Sequence, residues 1–329
     1  MILDYLIFLA VLALGVALIS KGSDWLTDSL SPVARKLGTS NTAVALLLVS
    51  FLVSLPEVLV ALFAVFKGYP GISIGMILGS VVANIGLMAG LSAMIRPLNV
   101  TRGMILRDGV FALCVMIMVA VLSMGGTISQ FQGFGLLLMF IPYIINVWEQ
   151  ERTRTHEEKQ QQLNEVEHEL DIIGGIHHGH LKAGVGTFLA GIVLLLIGAE
   201  LFSRSLIDIA QLSGAPQILI GLTLGAIGTT IPNIAAALKA TTRKMEHIAV
   251  TETLGSNVFT LLVTLGIVSV VSPVTILPEW LQVTIPAMLI MGFAFTGFMI
   301  TQNRISRLEG SALFFGYIAI LIIEILTHI

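Results

Sequence analysis

Long apolar runs separated by short polar loops make up most of the chain. A helix needs about 20 apolar residues to cross a hydrocarbon core roughly 30 Å thick, and backbone groups inside lipid must be hydrogen-bonded within the segment, which favours helices. The runs predict ten membrane-spanning helices, at 2–20 (or to 34), 42–66, 71–95, 103–123, 131–148, 183–207, 217–241, 247–271, 279–301 and 308–328. No convincing small-residue cleavage site follows the first run, so we expect a retained helix and not a signal peptide.

Composition agrees with this all-α integral membrane fold and excludes a soluble enzyme. Hydrophobic residues make up 56% of the chain and charged residues only 11%, whereas about 25% of the residues of soluble domains are charged. The single cysteine, Cys114, lies in an apolar run, which excludes a disulfide framework and a thiolate metal cluster. The net charge of −3 gives no argument for binding nucleic acid.

The distribution of basic residues predicts the orientation of the helices. Of the 17 lysines and arginines, thirteen lie in loops after odd-numbered runs, whereas only Lys67 lies in a loop after an even-numbered run. Basic loops tend to stay on the cytoplasmic side of a membrane. We therefore expect a multi-pass protein of the cell membrane whose two termini are both extracellular or periplasmic.

One long polar segment, residues 148–182, divides the chain into two apolar halves, 1–147 and 183–329. The same charge rule puts this linker in the cytoplasm. It is acidic and contains five of the seven histidines: His156, His168, His177, His178 and His180. Two interpretations stay open. The linker is either a solvated, partly helical connector or a regulatory segment that senses metal or pH, since imidazole and carboxylate groups are good metal ligands and histidine titrates near neutrality.

The two halves contain an internal repeat. At an offset of 176 residues the following pairs match: Gly22 with Gly198, Asp24 with Glu200, Ser29 with Ser205, Gly38 with Gly214, Pro56 with Pro232, Gly79-Ser80 with Gly255-Ser256, Gly90 with Gly266 and Pro97 with Pro273. Each copy covers five spans, and because five is odd the second copy enters the membrane inverted. Ten helices in two inverted five-helix repeats are typical of secondary transporters, which bind their substrate at one site near the midplane.

Each copy has a proline in its second span, within Ser54-Leu55-Pro56-Glu57 and Thr230-Ile231-Pro232-Asn233. We expect both helices to break there, because proline removes a helical hydrogen bond and clashes with the preceding turn. Glu57 lies about the middle of its span, where an ionised side chain is costly and is normally kept for function. The alternative, a carboxylate at a helix end near the interface, requires the span to be shifted by several residues.

The third span of each copy carries a polar stripe at helical spacing. In the first copy Ser80 and Asn84 lie four residues apart, and in the second copy Glu252, Ser256 and Thr260 repeat the pattern. The neighbouring second spans supply the facing polar side chains Ser50, Ser54, Thr223, Thr229, Thr230 and Asn233. Each of these groups alone is compatible with ordinary interhelical hydrogen bonding, but their matching positions in both copies favour a shared binding site.

These motifs resemble the α-repeat motifs of the calcium/cation antiporter superfamily, which includes sodium/calcium and proton/calcium exchangers. The matching segments are 50–90, with Ser54-Leu55-Pro56-Glu57 and Gly79-Ser80-Val81-Val82-Ala83-Asn84, and 226–266, with Gly228-Thr229-Thr230-Ile231-Pro232-Asn233 and Gly255-Ser256-Asn257-Val258-Phe259-Thr260. The resemblance extends over nearly the whole chain, with ten spans, external termini and a cytoplasmic linker. It also implies that the first and sixth helices slide as a pair across the remaining eight.

The resemblance implies four central metal ligands, which are Glu57, Asn84, Asn233 and Thr260. Flanking ligands would be the hydroxyls and backbone carbonyls of Ser50, Ser54, Ser80, Ala226, Thr229, Thr230 and Ser256. Glu57 and Asn84 fit the family pattern, whereas Asn233 and Thr260 stand where glutamate and an amide or aspartate are typical. Val53 replaces the threonine expected before Ser54, which removes a sodium contact, and Val81 replaces the asparagine of the first Gly-Ser-Asn element.

Together these features predict a cation antiporter that works by alternating access and is not an enzyme, with no cofactor and with metal ions and lipid as partners. Calcium affinity rises with the number of carboxylates, so a centre with Glu57 alone suits a weak Ca²⁺ site, a partly hydrated Mg²⁺ or a monovalent ion, exchanged against H⁺ or Na⁺. Glu252 either restores a second charge or is an interfacial residue near a helix start. Asp24 and Glu200 are interpreted chiefly as packing or gating groups. A non-transporting cation sensor and a channel are the alternatives from other functional classes.

Overall fold

The computed structural model describes residues 2–37, 42–153 and 184–328, and for some helical residues, mainly 30–37, 42–53 and 150–153, it describes the backbone only. Most of the predicted cytoplasmic linker lies outside the described residues. The membrane helices are α1 (Ile2–Leu37), α2 (Thr42–Phe66), α3 (Pro70–Ile95), α4 (Arg102–Ser123), α5 (Gln130–Thr153), α6 (Val185–Ser213), α7 (Gln217–Thr242), α8 (Glu246–Val271), α9 (Pro278–Gln282 and Thr284–Gln302) and α10 (Arg307–His328). The ten expected helices are therefore confirmed, with ends within a few residues of those predicted, and the first helix continues to Leu37.

Nine of the described helices are long and apolar enough to cross a membrane. The tenth, α2, has described side chains only from Ser54 onwards, and its segment Ser54–Phe66 is apolar. Large apolar side chains on the outer helices are exposed, among them Phe131 on α5 and Leu308 on α10. Such an apolar outer surface is suited to lipid and not to water, which agrees with a membrane protein.

Two short antiparallel strand pairs connect the repeats. Strand β1 (Leu98–Asn99), after α3, pairs with β4 (Arg304–Ile305), after α9. Strand β2 (Thr127–Ile128), after α4, pairs with β3 (Val274–Thr275), after α8. The 176-residue offset relates β1 to β3, so each of these equivalent strands is hydrogen-bonded to a strand of the other repeat. This reciprocal exchange is what a twofold relation between two inverted halves produces.

The two ribbons lie at opposite ends of the helix bundle. Helix α4 separates β1 from β2, and its 22 residues extend for about 33 Å at the usual helical rise. One strand pair therefore lies near each surface of the membrane, joining one loop of each repeat.

Close backbone contacts hold α3 against α7 at the centre of the bundle. A Cβ added at Gly75 would collide with the Ile218 carbonyl, and one added at Gly221 would collide with the Ile72 carbonyl. Glycine at these positions allows the two helix backbones to touch, as in tightly packed membrane helices. Residues 72 to 86 of α3 are all buried, so the first polar stripe is inside the protein.

Helices α1 and α6, which are equivalent in the two repeats, pack along each other. A Cβ at Gly22 would lie 2.7 Å from the Leu195 nitrogen, and one at Gly198 would lie 2.8 Å from the Ile19 nitrogen. Gly22 and Gly198 are the pair that the repeat alignment matched. The same small residue thus makes the same close crossing from each side.

The expectation that proline breaks both second spans was wrong. Pro56 lies inside α2, and Pro232 lies inside a continuous helical segment of α7, Ala226–Thr242. One missing N–H costs a single hydrogen bond per helix, and the flanking turns keep helical geometry. Irregular backbone occurs instead as π-helical turns, which cover Asn84–Ala89 in α3, Ile105–Gly109 in α4, Gly221–Gly225 in α7 and Thr260–Thr264 in α8. The turns in α3 and α8 begin at the predicted ligands Asn84 and Thr260, and single π turns are frequent at functional sites.

Candidate cation site

Glu57 is joined to the second repeat by a hydrogen bond through the protein interior. It lies on α2 directly after Pro56, and only 4% of its surface is exposed. The Thr260 hydroxyl on α8 donates to Glu57 Oε2 at 2.6 Å. Glu57 Oε1 is buried and has no hydrogen-bond partner among the described residues. The hydrogen bond to Oε2 therefore orients the carboxylate, and Oε1 remains available to accept a further interaction.

Asn84 makes the second interior bond between the repeats. Its Nδ2 donates to Asn257 Oδ1 on α8 at 3.0 Å, and both side chains are fully buried. Asn84 Oδ1, like Glu57 Oε1, has no partner in the described part of the chain. Thr260 and Asn257 are three residues apart on α8, and so they share one face of that helix. Glu57 and Asn84 are consequently brought to the same turn of α8.

Ser80, one turn before Asn84 on α3, adds a third oxygen. Its side chain is fully buried, and its hydroxyl is close enough to Glu57 to interact with the carboxylate, although it makes no hydrogen bond to any described residue. Buried polar atoms are nearly always paired because an unpaired one costs free energy. Three unpaired oxygens on facing helices, Glu57 Oε1, Asn84 Oδ1 and Ser80 Oγ, are the chemistry of a hard-cation site.

The second repeat contributes backbone and hydroxyl groups from α7. Thr230 Oγ1 donates to the Ala226 carbonyl at 2.8 Å, and Thr229 Oγ1 donates to the Gly225 carbonyl at 3.0 Å and approaches that of Ala226 at 3.2 Å. All three residues, Ala226, Thr229 and Thr230, are buried. These hydroxyls bond within their own helix, so they do not join helices together. Their oxygen lone pairs remain able to accept a cation.

The remaining predicted residues differ in how far the structure describes them. Ser54, Asn233 and Ser256 are buried on α2, α7 and α8. Thr223 is partly buried and donates to the Leu219 carbonyl of its own helix at 2.6 Å. The side chains of Ser50 and Val53 lie outside the described residues. The predicted ligands of this group are Ser50, Ser54, Asn233 and Ser256.

Glu252 is separated from Thr260 by two helical turns of α8. It is half-buried, and the Tyr143 hydroxyl of α5 lies against the same stretch of α8, 3.9 Å from a Cβ placed on Gly255. Among the described residues, no three side chains of the His, Cys, Asp and Glu type come together. Among the described residues that meet at this centre, Glu57 is therefore the acidic one, and the others offer neutral oxygens.

Sequence reasoning did not select Asn257, which the structure makes a direct partner of Asn84. The signal was present as the third residue of Gly255-Ser256-Asn257. The equivalent residue in the first repeat is Val81, so the repeat alignment does not indicate this position. A hydrogen bond between two repeats cannot be read from a pattern within one.

The sodium/calcium exchanger family model, described as "Sodium/calcium exchanger protein", matches residues 7–148 and 183–326. The chain belongs to the sodium/calcium exchanger family. This family consists of membrane transporters that carry metal ions, so the protein is a multi-pass cation antiporter of the calcium/cation superfamily and not an enzyme. The resemblance seen in the motifs is confirmed.

Individual relatives agree over almost the full length. The sodium/calcium exchanger MaX1 of Methanosarcina acetivorans is 28% identical, with 95% of this chain and 97% of the relative covered. The putative antiporter CaxA of Alkalimonas amylolytica is 27% identical, with 79% of each chain covered. A solved structure of the sodium–calcium exchanger NCX_Mj, soaked with Na⁺ and Sr²⁺, superposes with a TM-score of 0.66 at 25% identity, covering 96% of this chain and 98% of the other. The inverted-repeat fold is thus that of an exchanger.

Proposed function

We propose that this exchanger moves Ca²⁺ across the membrane against Na⁺ or H⁺ by alternating access, with Glu57 as its anionic ligand. Asn84, Asn233, Thr260 and the surrounding hydroxyls complete the coordination shell. The relatives MaX1 and NCX_Mj are exchangers of sodium and calcium, which supports calcium as the divalent ion and sodium as a counter-ion.

One observation carries the proposal. Glu57 Oε1, Asn84 Oδ1 and Ser80 Oγ are buried oxygens without hydrogen-bond partners among the described residues, and cross-repeat bonds to α8 orient the first two. A hydrated cation that gives up part of its water shell needs such oxygens. The same carboxylate oxygen also binds a proton, so one group can hold either ion in turn and couple their movements.

Mg²⁺ is the second candidate, and the count of charges favours it. Asn233 stands where the family has glutamate and Thr260 where it has an amide or aspartate, so Ca²⁺ would be bound by one carboxylate. Mg²⁺ usually retains several waters and needs only one or two carboxylates. The same reduced charge supports a monovalent exchanger, which flux measurements separate from both.

We also propose that the two halves, 1–147 and 183–329, span the membrane in opposite orientations. Both termini would then be extracellular or periplasmic, and the linker 148–182 would be cytoplasmic. The excess of basic residues in the loops after odd-numbered helices supports this orientation. The reciprocal pairing of β1 with β4 and of β2 with β3 supports the division into inverted halves.

The test is transport by the purified protein in liposomes, with Ca²⁺, Mg²⁺, Mn²⁺, Na⁺ and K⁺ supplied in turn under imposed Na⁺ or H⁺ gradients. We expect saturable Ca²⁺ counterflow that Glu57→Gln abolishes. Glu246→Gln makes the same chemical change at a buried carboxylate that hydrogen-bonds to Asn99, and it should retain flux. Fluxes that persist in Glu57→Gln would refute the assignment. A channel would instead give poorly saturating currents, and a sensor would give no counterflow.

A further inference from the structure

Asn257 is not one of the predicted ligands, yet it is bonded to one of them in the protein interior. It is fully buried on α8, and its Oδ1 accepts the hydrogen bond from Asn84 Nδ2 at 3.0 Å. Its own Nδ2 has no partner among the described residues. Only the acceptor end of this amide is in use, so its role concerns Asn84.

The direction of this bond decides what Asn84 offers to an ion. A side-chain amide has a carbonyl end that accepts and an NH₂ end that only donates. Because Nδ2 of Asn84 is held by Asn257, Oδ1 of Asn84 is the atom left unpaired. Hard cations bind oxygen. The opposite orientation would present an NH₂ group, which only donates hydrogen bonds and cannot coordinate a cation.

The two repeats differ at this point in a consistent way. The 176-residue offset pairs Asn84 with Thr260 and Asn257 with Val81. Val81 cannot accept a hydrogen bond, and Thr260 does not need an acceptor there because its hydroxyl already donates to Glu57 Oε2. A hydroxyl oxygen both donates and accepts, whereas a side-chain amide has separate donor and acceptor ends and must be oriented. Asparagine is therefore present at position 257, where the amide of Asn84 needs orienting, and valine is present at the equivalent position 81, whose counterpart is Thr260.

We propose that Asn257 is a positioning residue for transport, which holds the Asn84 amide with its carbonyl oxygen toward the ion. The inference rests on the proposed function and deepens it, since it adds the residue that sets the orientation of one ligand. Asn257 itself contacts the ligand and not the ion.

Two substitutions separate this role from a general contribution to folding. Asn257→Val installs the residue of the symmetric position and removes the acceptor. Asn257→Asp keeps an acceptor but cannot donate, so it can only hold Asn84 in the orientation seen here. The matched control is Thr253→Val on the same helix, where a buried hydroxyl donates only to the Ala249 carbonyl at 2.7 Å.

The measurements are Ca²⁺ uptake by each variant in liposomes and the thermal unfolding midpoint in detergent with and without Ca²⁺. We expect Asn257→Val to raise the KM for Ca²⁺ about tenfold, the loss of roughly one hydrogen bond to a ligand, with a smaller change in kcat. Asn257→Asp should keep a KM at or below that of the wild type. Thr253→Val should match the wild type. The Ca²⁺-induced rise in unfolding midpoint should shrink in Asn257→Val only.

Three results would overturn the inference. If Asn257→Val keeps the wild-type KM while Glu57→Gln abolishes flux, the proposed function stands and Asn257 has no positioning role. If Asn257→Asp loses affinity as Asn257→Val does, the amide pair has the opposite direction, and the Asp variant decides this even where the Val variant fails to fold. If uptake is independent of Glu57, the proposed function fails, and the role of Asn257 fails with it.

Discussion

Lys67, in the turn after α2, forms an ion pair with Glu200 in the middle of α6, with 2.5 Å between Nζ and Oε1. Two further polar contacts bind the same turn. Gln211 of α6 hydrogen-bonds to the Tyr69 hydroxyl, and the Gly71 amide donates to Gln217 of α7 at 3.2 Å. An ion pair and a hydrogen bond thus link the turn between α2 and α3 to α6. This is one of the two helices whose sliding the superfamily resemblance implies. The offset of the repeat pairs Lys67 with Arg243 and Glu200 with Asp24.

We expect neutralising this ion pair to affect stability only slightly. Both side chains are partly exposed, and exposed pairs contribute about 0.2–1 kcal/mol. Glu200→Gln and Lys67→Gln should each lower the thermal unfolding midpoint by no more than a few degrees, measured in detergent at low salt. The reversed double variant Lys67→Glu/Glu200→Lys should regain most of the loss. A double variant as unstable as the sum of the singles would show that geometry, not charge, holds the contact.

Thr260→Val should destabilise the protein even without a cation. It removes the hydroxyl that donates to Glu57 Oε2 and leaves this oxygen buried without that donor, at a cost of about 1–3 kcal/mol. Thermal unfolding of the cation-free protein measures this cost. Thr253→Val, which removes a hydroxyl of the same helix bonded to its own backbone, is the control, and equal effects of the two substitutions would contradict the prediction.

Thr260→Asp should tighten Ca²⁺ binding, because it restores a second carboxylate beside Glu57 and calcium affinity rises with carboxylate count. We expect about a tenfold lower KM in liposome uptake. The cation-free protein should be less stable than the wild type, since two like charges then face each other in the interior. Comparing unfolding midpoints with and without Ca²⁺ tests both parts, and an unchanged Ca²⁺-induced shift would argue that residue 260 does not face the ion.

Ser80→Ala should weaken cation binding without weakening the fold. The Ser80 hydroxyl is buried and unpaired among the described residues, so its removal costs no hydrogen bond within the protein. We expect a severalfold higher KM for Ca²⁺ with an unchanged unfolding midpoint. Ser73→Ala, two turns earlier on α3 and also buried and unpaired, should leave the KM unchanged. Equal KM values for both variants would remove Ser80 from the site.

Gly79 and Gly255 are symmetry mates with opposite expected sensitivity. A Cβ at Gly79 would lie 2.8 Å from the Ala226 Cβ and the Leu222 Cα, whereas one at Gly255 would find only the Tyr143 hydroxyl, at 3.9 Å. Gly79→Ala should therefore destabilise by about 1–3 kcal/mol, the range for overpacking, and Gly255→Ala should be tolerated. Expression level and unfolding midpoint measure the difference, and similar losses would contradict it.

The fold was predictable because each of its determinants is local. Membrane thickness sets helix length, and lipid leaves no choice of backbone structure, so apolar runs located the ten helices to within a few residues. The inverted repeat followed from counting five spans in each copy. Neither step requires knowing which helices touch.

The site was predictable only in part, because its contacts cross between the repeats. Glu57 and Asn84 were selected from their own helices, but their bonds to Thr260 and Asn257 join residues 203 and 173 positions apart. Proline was expected to break α2 and α7, although its local penalty is smaller than the packing that keeps them helical. The π turns at Asn84 and Thr260 have no composition signal of their own.

The exchanged strands have a consequence for how the molecule is assembled. Strand β1 pairs with β4, and β2 pairs with β3. Each strand pair therefore contains one strand from each half, and one pair lies near each membrane surface. If the chain is cut within the linker, the two strand pairs still hold the halves together. The two halves, expressed together as separate chains, should therefore assemble into a working exchanger. Either piece made alone would have two unpaired strands and a bare apolar flank, and it should be degraded.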